Sequence, residues 1–128
     1  MRSVRSIEFD IDRARRIVTV RAIGDVNGRM LLAQLPAFWQ AHREIAGYHS
    51  ISDLTHFSGD VSLDEVREIA RAWEAFCDGR DAGTCTAVVS RHPLAWMVVQ
   101  AVALVLPSRR FASFRSIEAA RRWIPARR

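Results

Sequence analysis

Between Ser50 and Val66 the chain reads SISDLTHFSGDVSLDEV, with four serines, one threonine, three aspartates and one histidine. Such residues can build a nucleophile and its base, accept a phosphate, or cap a helix. A hydrolytic serine needs a hydrogen-bonded base that is itself oriented. His56 is close in sequence to Ser58 and Ser62, but no G-x-S-x-G turn surrounds either serine. Ser62-Leu63-Asp64-Glu65 instead has the form of a capping box, in which the Ser62 hydroxyl and the Glu65 side chain each satisfy the other's backbone amide. Asp64 and Glu65 also put negative charge in a first helical turn, where it is favoured. Gly59 and Asp60 suit a turn. The segment therefore reads as the start of a helix, no catalytic residue is assigned, and a non-enzymatic protein is expected.

Metal and cofactor chemistry finds little support. His42, His49, His56 and His92 lack ligand spacing, and Cys77 and Cys85 form no metal motif and are too few for a disulfide framework. GDVNG lacks the lysine of a P-loop and the spacing of a dinucleotide fingerprint. No metal and no cofactor are expected, and both thiols read as small core residues. The N-terminal MRSVRSIEFD has no apolar run of the signal-peptide kind, so a cytoplasmic location is expected. The last twenty residues carry seven arginines against one acid, Glu118, and account for the whole formal charge of +5. A basic end attracts phosphates, anionic lipid or an acidic partner. RRFASFRS interleaves arginine with Phe111 and Phe114, but in a strand this places the rings on faces that burial would hide, so nucleic acid is not expected as a partner.

The elements that hold these residues follow from periodicity. SIEFDID alternates apolar and polar residues, and RIVTVRAIG is rich in β-branched residues with Val18, Val20 and Ala22 on one face; a short turn makes the two an antiparallel hairpin. Asn27 caps a helix from about Gly28 to Ala46 that contains Pro36. YHSISDL reads as a strand with few apolar residues, and a helix follows from Leu63 to about Cys77. TCTAVVS is a strand buried on both faces. HPLAWMVVQAVALVLPS is a helix closed by Pro107, RRFASFRS a last strand, and SIEAARRWI a last helix capped by Ser116. The order β-β-α-β-α-β-α-β-α predicts an α/β fold in one domain spanning 1–128, its core at about 7–124. Its sheet is mixed and mostly parallel, with an antiparallel edge strand.

This order, with AIGDVNGRMLLAQLPAF, SDLTHFSGDVSLDEV and the closing FASFRSIEAARRWI, resembles the SpoIIAA-like superfamily, which has the anti-sigma-factor-antagonist (STAS) fold. Several features match its uncharacterised bacterial branch, itself similar to CRAL-TRIO lipid carriers. The resemblance implies a SpoIIAA-like/STAS fold and, by analogy with the carriers, an apolar ligand beneath a movable helix. In partner-switching antagonists a D-S-S-G stretch opens the second helix and its second serine is phosphorylated. Asp60-Val61-Ser62-Leu63 keeps only the aspartate and the second serine, making Ser62, with Asp60, the candidate phosphate acceptor and a protein-partner switch the alternative function.

Leu94 to Leu106, LAWMVVQAVALVL, has only Gln100 as a polar residue. Most helices on a sheet keep one polar face. At about 1.5 Å per residue this one is too short to cross a membrane core of roughly 30 Å. Its cover is expected to come from the chain itself, from a second copy in a homodimer, from an apolar ligand, or from a membrane surface. Leu94, Trp96, Met97, Val98, Val102 and Val105 are the expected apolar contacts. Arg91, Arg109 and Arg110 are the expected contacts with an anionic surface, which would place the protein peripherally on the inner membrane face.

Overall fold

The computed structural model describes residues 5–93, 95–105 and 109–125. The expected hairpin is strands β1 (Arg5–Asp12) and β2 (Ile17–Gly24), antiparallel and in register from Arg5 opposite Gly24 to Asp12 opposite Ile17. Strands β3 (His49–Asp53), β4 (Cys85–Val89) and β5 (Arg110–Phe114) follow, each parallel to its predecessor, in the spatial order β1-β2-β3-β4-β5. Helices α1 (Gly28–Ala41), α2 (Leu63–Cys77), α3 (Ala95–Val105) and α4 (Ile117–Trp123) are the crossovers and the closing element. Pro107, expected to close α3, lies outside the described residues.

The helix starts follow from their caps. Asn27 accepts from the Met30 amide, Ser116 from the Ala119 amide, and Ser62 and Glu65 form the reciprocal capping box. Helix α1 ends sooner than periodicity predicts. At His42 the backbone leaves the helix, with φ −138° and ψ 64°, and its ring Nδ1 bonds the Phe38 carbonyl at 3.1 Å. The next residues, Arg43–Gly47, form a 3-10 turn that seats Ile45 and Ala46 in the core. Burial of Ile45 decides this bend, and its spacing alone could not distinguish the turn from a continued helix.

Strand alternation gives the sheet two differently covered faces. On one, Val18 joins Leu35, Trp39, Ile45, Tyr48, Trp73, Phe76 and Cys77 under α1 and α2, with Val102 of α3 packed against them. The rings of Trp39 and Trp73 meet edge to face at 4.9 Å. On the other face Ile17, Ile51, Cys85, Ala87 and Val89 are covered by Ala120 and Ile124 of the short final segment. Gly59 lies just beyond the strands, next to the Asn27–Asp60 bridge; a Cβ there would collide with the Val26 backbone.

Candidate functional site: a cavity between the sheet and three helices

The face beneath α1, α2 and α3 is not filled. A cavity of about 310 Å³ lies there. Its floor is the sheet: Val18 and Val20 of β2 sit beside Ser50 and Ser52 of β3, which pair in turn with Thr86 and Val88 of β4. Leu31, Leu35 and Trp39 of α1 and Val66, Ile69 and Trp73 of α2 form the walls, and Val98, Val99 and Val102 of α3 close one side. The lining is almost wholly hydrocarbon, and the polar exceptions, Ser50, Ser52 and Thr86, come from the two central strands.

Behind those hydroxyls is a buried charge. Arg109 donates from Nε to Asp81 Oδ2 at 3.1 Å, its side chain 0% exposed and that of Asp81 6%. Its Nη1 donates to Thr86 Oγ1 at 2.9 Å and to Ser50 Oγ at 3.3 Å. The two hydroxyls are 2.7 Å from one another. The guanidinium carbon stands 5.1 Å from the centre of the Trp73 ring, and Nη2 has no hydrogen-bond partner among the described residues. Next to this pair the Cys77 thiol is pushed up to about 12, by burial first and by the Asp81 carboxylate second, with Arg109 and Arg80 opposing.

Arg109 was expected at an anionic surface; it is instead buried in the ion pair with Asp81 and tied to the strand hydroxyls, so it cannot touch a membrane. Its position at the start of β5, beside the central strands, brings Asp81 within reach and makes inward burial with a partner possible. Arg91 and Arg110 are exposed, Arg110 lying over the Trp123 ring at 5.6 Å. The expected apolar contacts on α3 divide between its two sides. Val98 and Val102 line the cavity, whereas Trp96 (55% exposed) and Met97 (53%) lie on the outside, where Leu104 (87%), not among the expected contacts, joins them. Leu94 and the side chain of Val105 lie outside the described residues. Ser62 is exposed with its hydroxyl engaged as the α2 cap, and Asp60 is exposed at the Asn27 bridge. His56 and Ser58 are both exposed and line no part of the cavity.

Reading the sequence alone missed Ser50, Ser52, Thr86 and the Arg109–Asp81 pair as site residues. A signal was there: the central strand β3 has hydroxyls at alternate positions where a covered parallel sheet ordinarily carries apolar side chains. Among the described residues no cluster of histidine, cysteine or carboxylate side chains has the makings of a metal site, and no helix is long and apolar enough to cross a membrane.

The class that this architecture defines is the SpoIIAA-like fold, a mixed α/β sheet with one antiparallel pair. The chain is similar in structure to an uncharacterised protein of the DUF3478 family with a SpoIIAA-like fold, from Shewanella loihica PV-4. The TM-score is 0.58 with 17% sequence identity, over 98% of this chain and 97% of that one. No family model matches the chain, and no curated protein matches it by sequence.

Proposed function

We propose that this protein is a non-enzymatic binding module that holds an apolar chain in the cavity beneath α3. The observation that carries this reading is the volume and its lining. Left open to water, the cavity of about 310 Å³ keeps hydrocarbon side chains wet at a cost of roughly 25 cal/mol for each Å² that a ligand would cover. Water is a poor filling, since each molecule needs two to four polar partners and three side chains supply nearly all that are available. An apolar ligand satisfies the lining and removes the cost. The volume lies at the lower end of the roughly 300–1,000 Å³ of small-molecule pockets. Native mass spectrometry of the purified protein, followed by organic extraction, tests this. A stoichiometric apolar compound is expected, and a chain that carries none and takes up no fatty acid, alcohol or isoprenoid when offered would refute the proposal.

A second reading concerns the outer side of α3, where Trp96, Met97 and Leu104 are exposed together. These residues favour an assembly at that face, either a homodimer or contact with a membrane surface, with Arg91 and Arg110 available to anionic groups. Sedimentation and flotation with anionic vesicles, each repeated on Leu104→Glu, distinguish the two. A monomer that ignores vesicles at low salt would remove both.

A further inference from the structure

The hydroxyls of the cavity floor specify one end of the ligand. Each serine or threonine hydroxyl has one proton to donate and two lone pairs to accept with. The oxygens of both Ser50 and Thr86 accept from Arg109 Nη1, and the 2.7 Å contact between them uses the proton of only one. The other proton is left without an acceptor among the described residues. Ser52 lies two positions along the same strand face and also lines the cavity, and its hydroxyl makes no side-chain hydrogen bond among the described residues. Arg109 Nη2, fully buried behind the floor, is a further unused donor among them. Two hydroxyl protons, one from the Ser50–Thr86 pair and one from Ser52, thus stand open to an acceptor at one place in a hydrocarbon-lined space. A ligand that brings oxygen to this place can accept from these hydroxyls, which a plain hydrocarbon cannot.

We infer that the ligand is an acyl compound whose carbonyl or carboxylate oxygen accepts from the Ser50–Thr86 pair and Ser52, its hydrocarbon tail lying between α1, α2 and α3. This rests on the apolar-ligand reading of the cavity and adds the head group to it. Arg109 acts as a positioning residue. By taking one lone pair of each of Ser50 and Thr86 it leaves one proton of the pair for an acceptor in the cavity, and Asp81 holds it in place. At an interior packing density of roughly 0.75, the cavity takes about 230 Å³ of ligand atoms, on the order of a dozen carbons within it.

The test compares dodecanoic acid with dodecyltrimethylammonium, which has the same chain and no acceptor, by calorimetric titration of the full chain. The acid is expected to bind and the ammonium compound to bind at least tenfold more weakly. Thr86→Val, which keeps the shape and removes the hydroxyl, is expected to weaken the acid roughly ten- to hundredfold while leaving the ammonium compound unaffected. Ser52→Ala breaks no bond to Arg109 and carries the same test should Thr86→Val fail to fold. Equal binding of the two compounds would overturn the head-group inference and leave the cavity reading intact. Failure of both to bind would overturn both. Preference for the acid that survives Ser50→Ala, Ser52→Ala and Thr86→Val would overturn the placement of its oxygen.

Discussion

Replacing Asp81 by asparagine should destabilise the protein by more than any substitution at its surface. The carboxylate is 6% exposed and the guanidinium it faces 0%, at 3.1 Å. The amide in Asp81→Asn would fill the same space, and its oxygen could still accept from Nε, but it would leave a full positive charge buried with no counter-charge beside it. Breaking a buried pair in this way costs about 3–5 kcal/mol, a large part of the roughly 5–15 kcal/mol that holds a domain folded. With an m-value of roughly 1–3 kcal/mol per molar urea, the unfolding midpoint should fall by on the order of 2 M. Removing both charges, in Asp81→Leu/Arg109→Met, should recover much of the loss, because the desolvation cost of both ions disappears together. Urea titration followed by circular dichroism on the wild type, Asp81→Leu, Arg109→Met and the double variant closes the cycle. A loss under about 1 kcal/mol in Asp81→Asn would show a pair worth no more than an exposed one and would refute the account of Arg109 as a buried, held cation.

Three further outcomes are expected. Burial raises the Asp53 carboxyl, but the Thr55 hydroxyl and amide and the Arg21 guanidinium together outweigh it, so its pKa lies below the ordinary 3.8. A folded-state pKa below the unfolded one adds stability that is complete above about pH 4 and is lost as pH falls through the folded value; Asp53→Asn should flatten the acid limb of a stability–pH curve, and an unchanged limb would count against it. Cys77, with its pKa pushed up to about 12 and no exposure, should resist a disulfide reagent at pH 8 until the protein is unfolded; rapid labelling of native protein at that site would contradict the packing. Ser62→Ala should cost about 1 kcal/mol as a lost helix cap, and incubation with anti-sigma-type kinases followed by peptide mass spectrometry decides the partner-switch alternative, an unmodified Ser62 peptide removing it.

Much of the architecture was legible because it is written in local chemistry. Alternation in SIEFDID and β-branching in IVTVRAIG gave the hairpin, Asn27, Ser62 and Ser116 gave three helix starts, and the order of elements gave the parallel sheet. Where local chemistry was neutral the reading slipped. REIAG fits the end of a helix as well as a 3-10 turn, and only the core site waiting for Ile45 separates them. The α3 segment was visible as a helix too apolar for an ordinary surface, but its division into a cavity side and an outer side was not, because nearly every residue on it is hydrophobic.

The sequence by itself determined the order of elements, the caps and the excess of hydrocarbon in α3, since each depends on neighbours within a turn or two. Only the tertiary structure decided that Arg109 turns inward to Asp81, 28 residues away, and that Ser50, Ser52 and Thr86 share one floor. Strand register and helix placement set both, and they are fixed by packing across the whole sheet. Charge and hydroxyl have no preferred partner until that packing brings one within hydrogen-bonding reach and takes the water away.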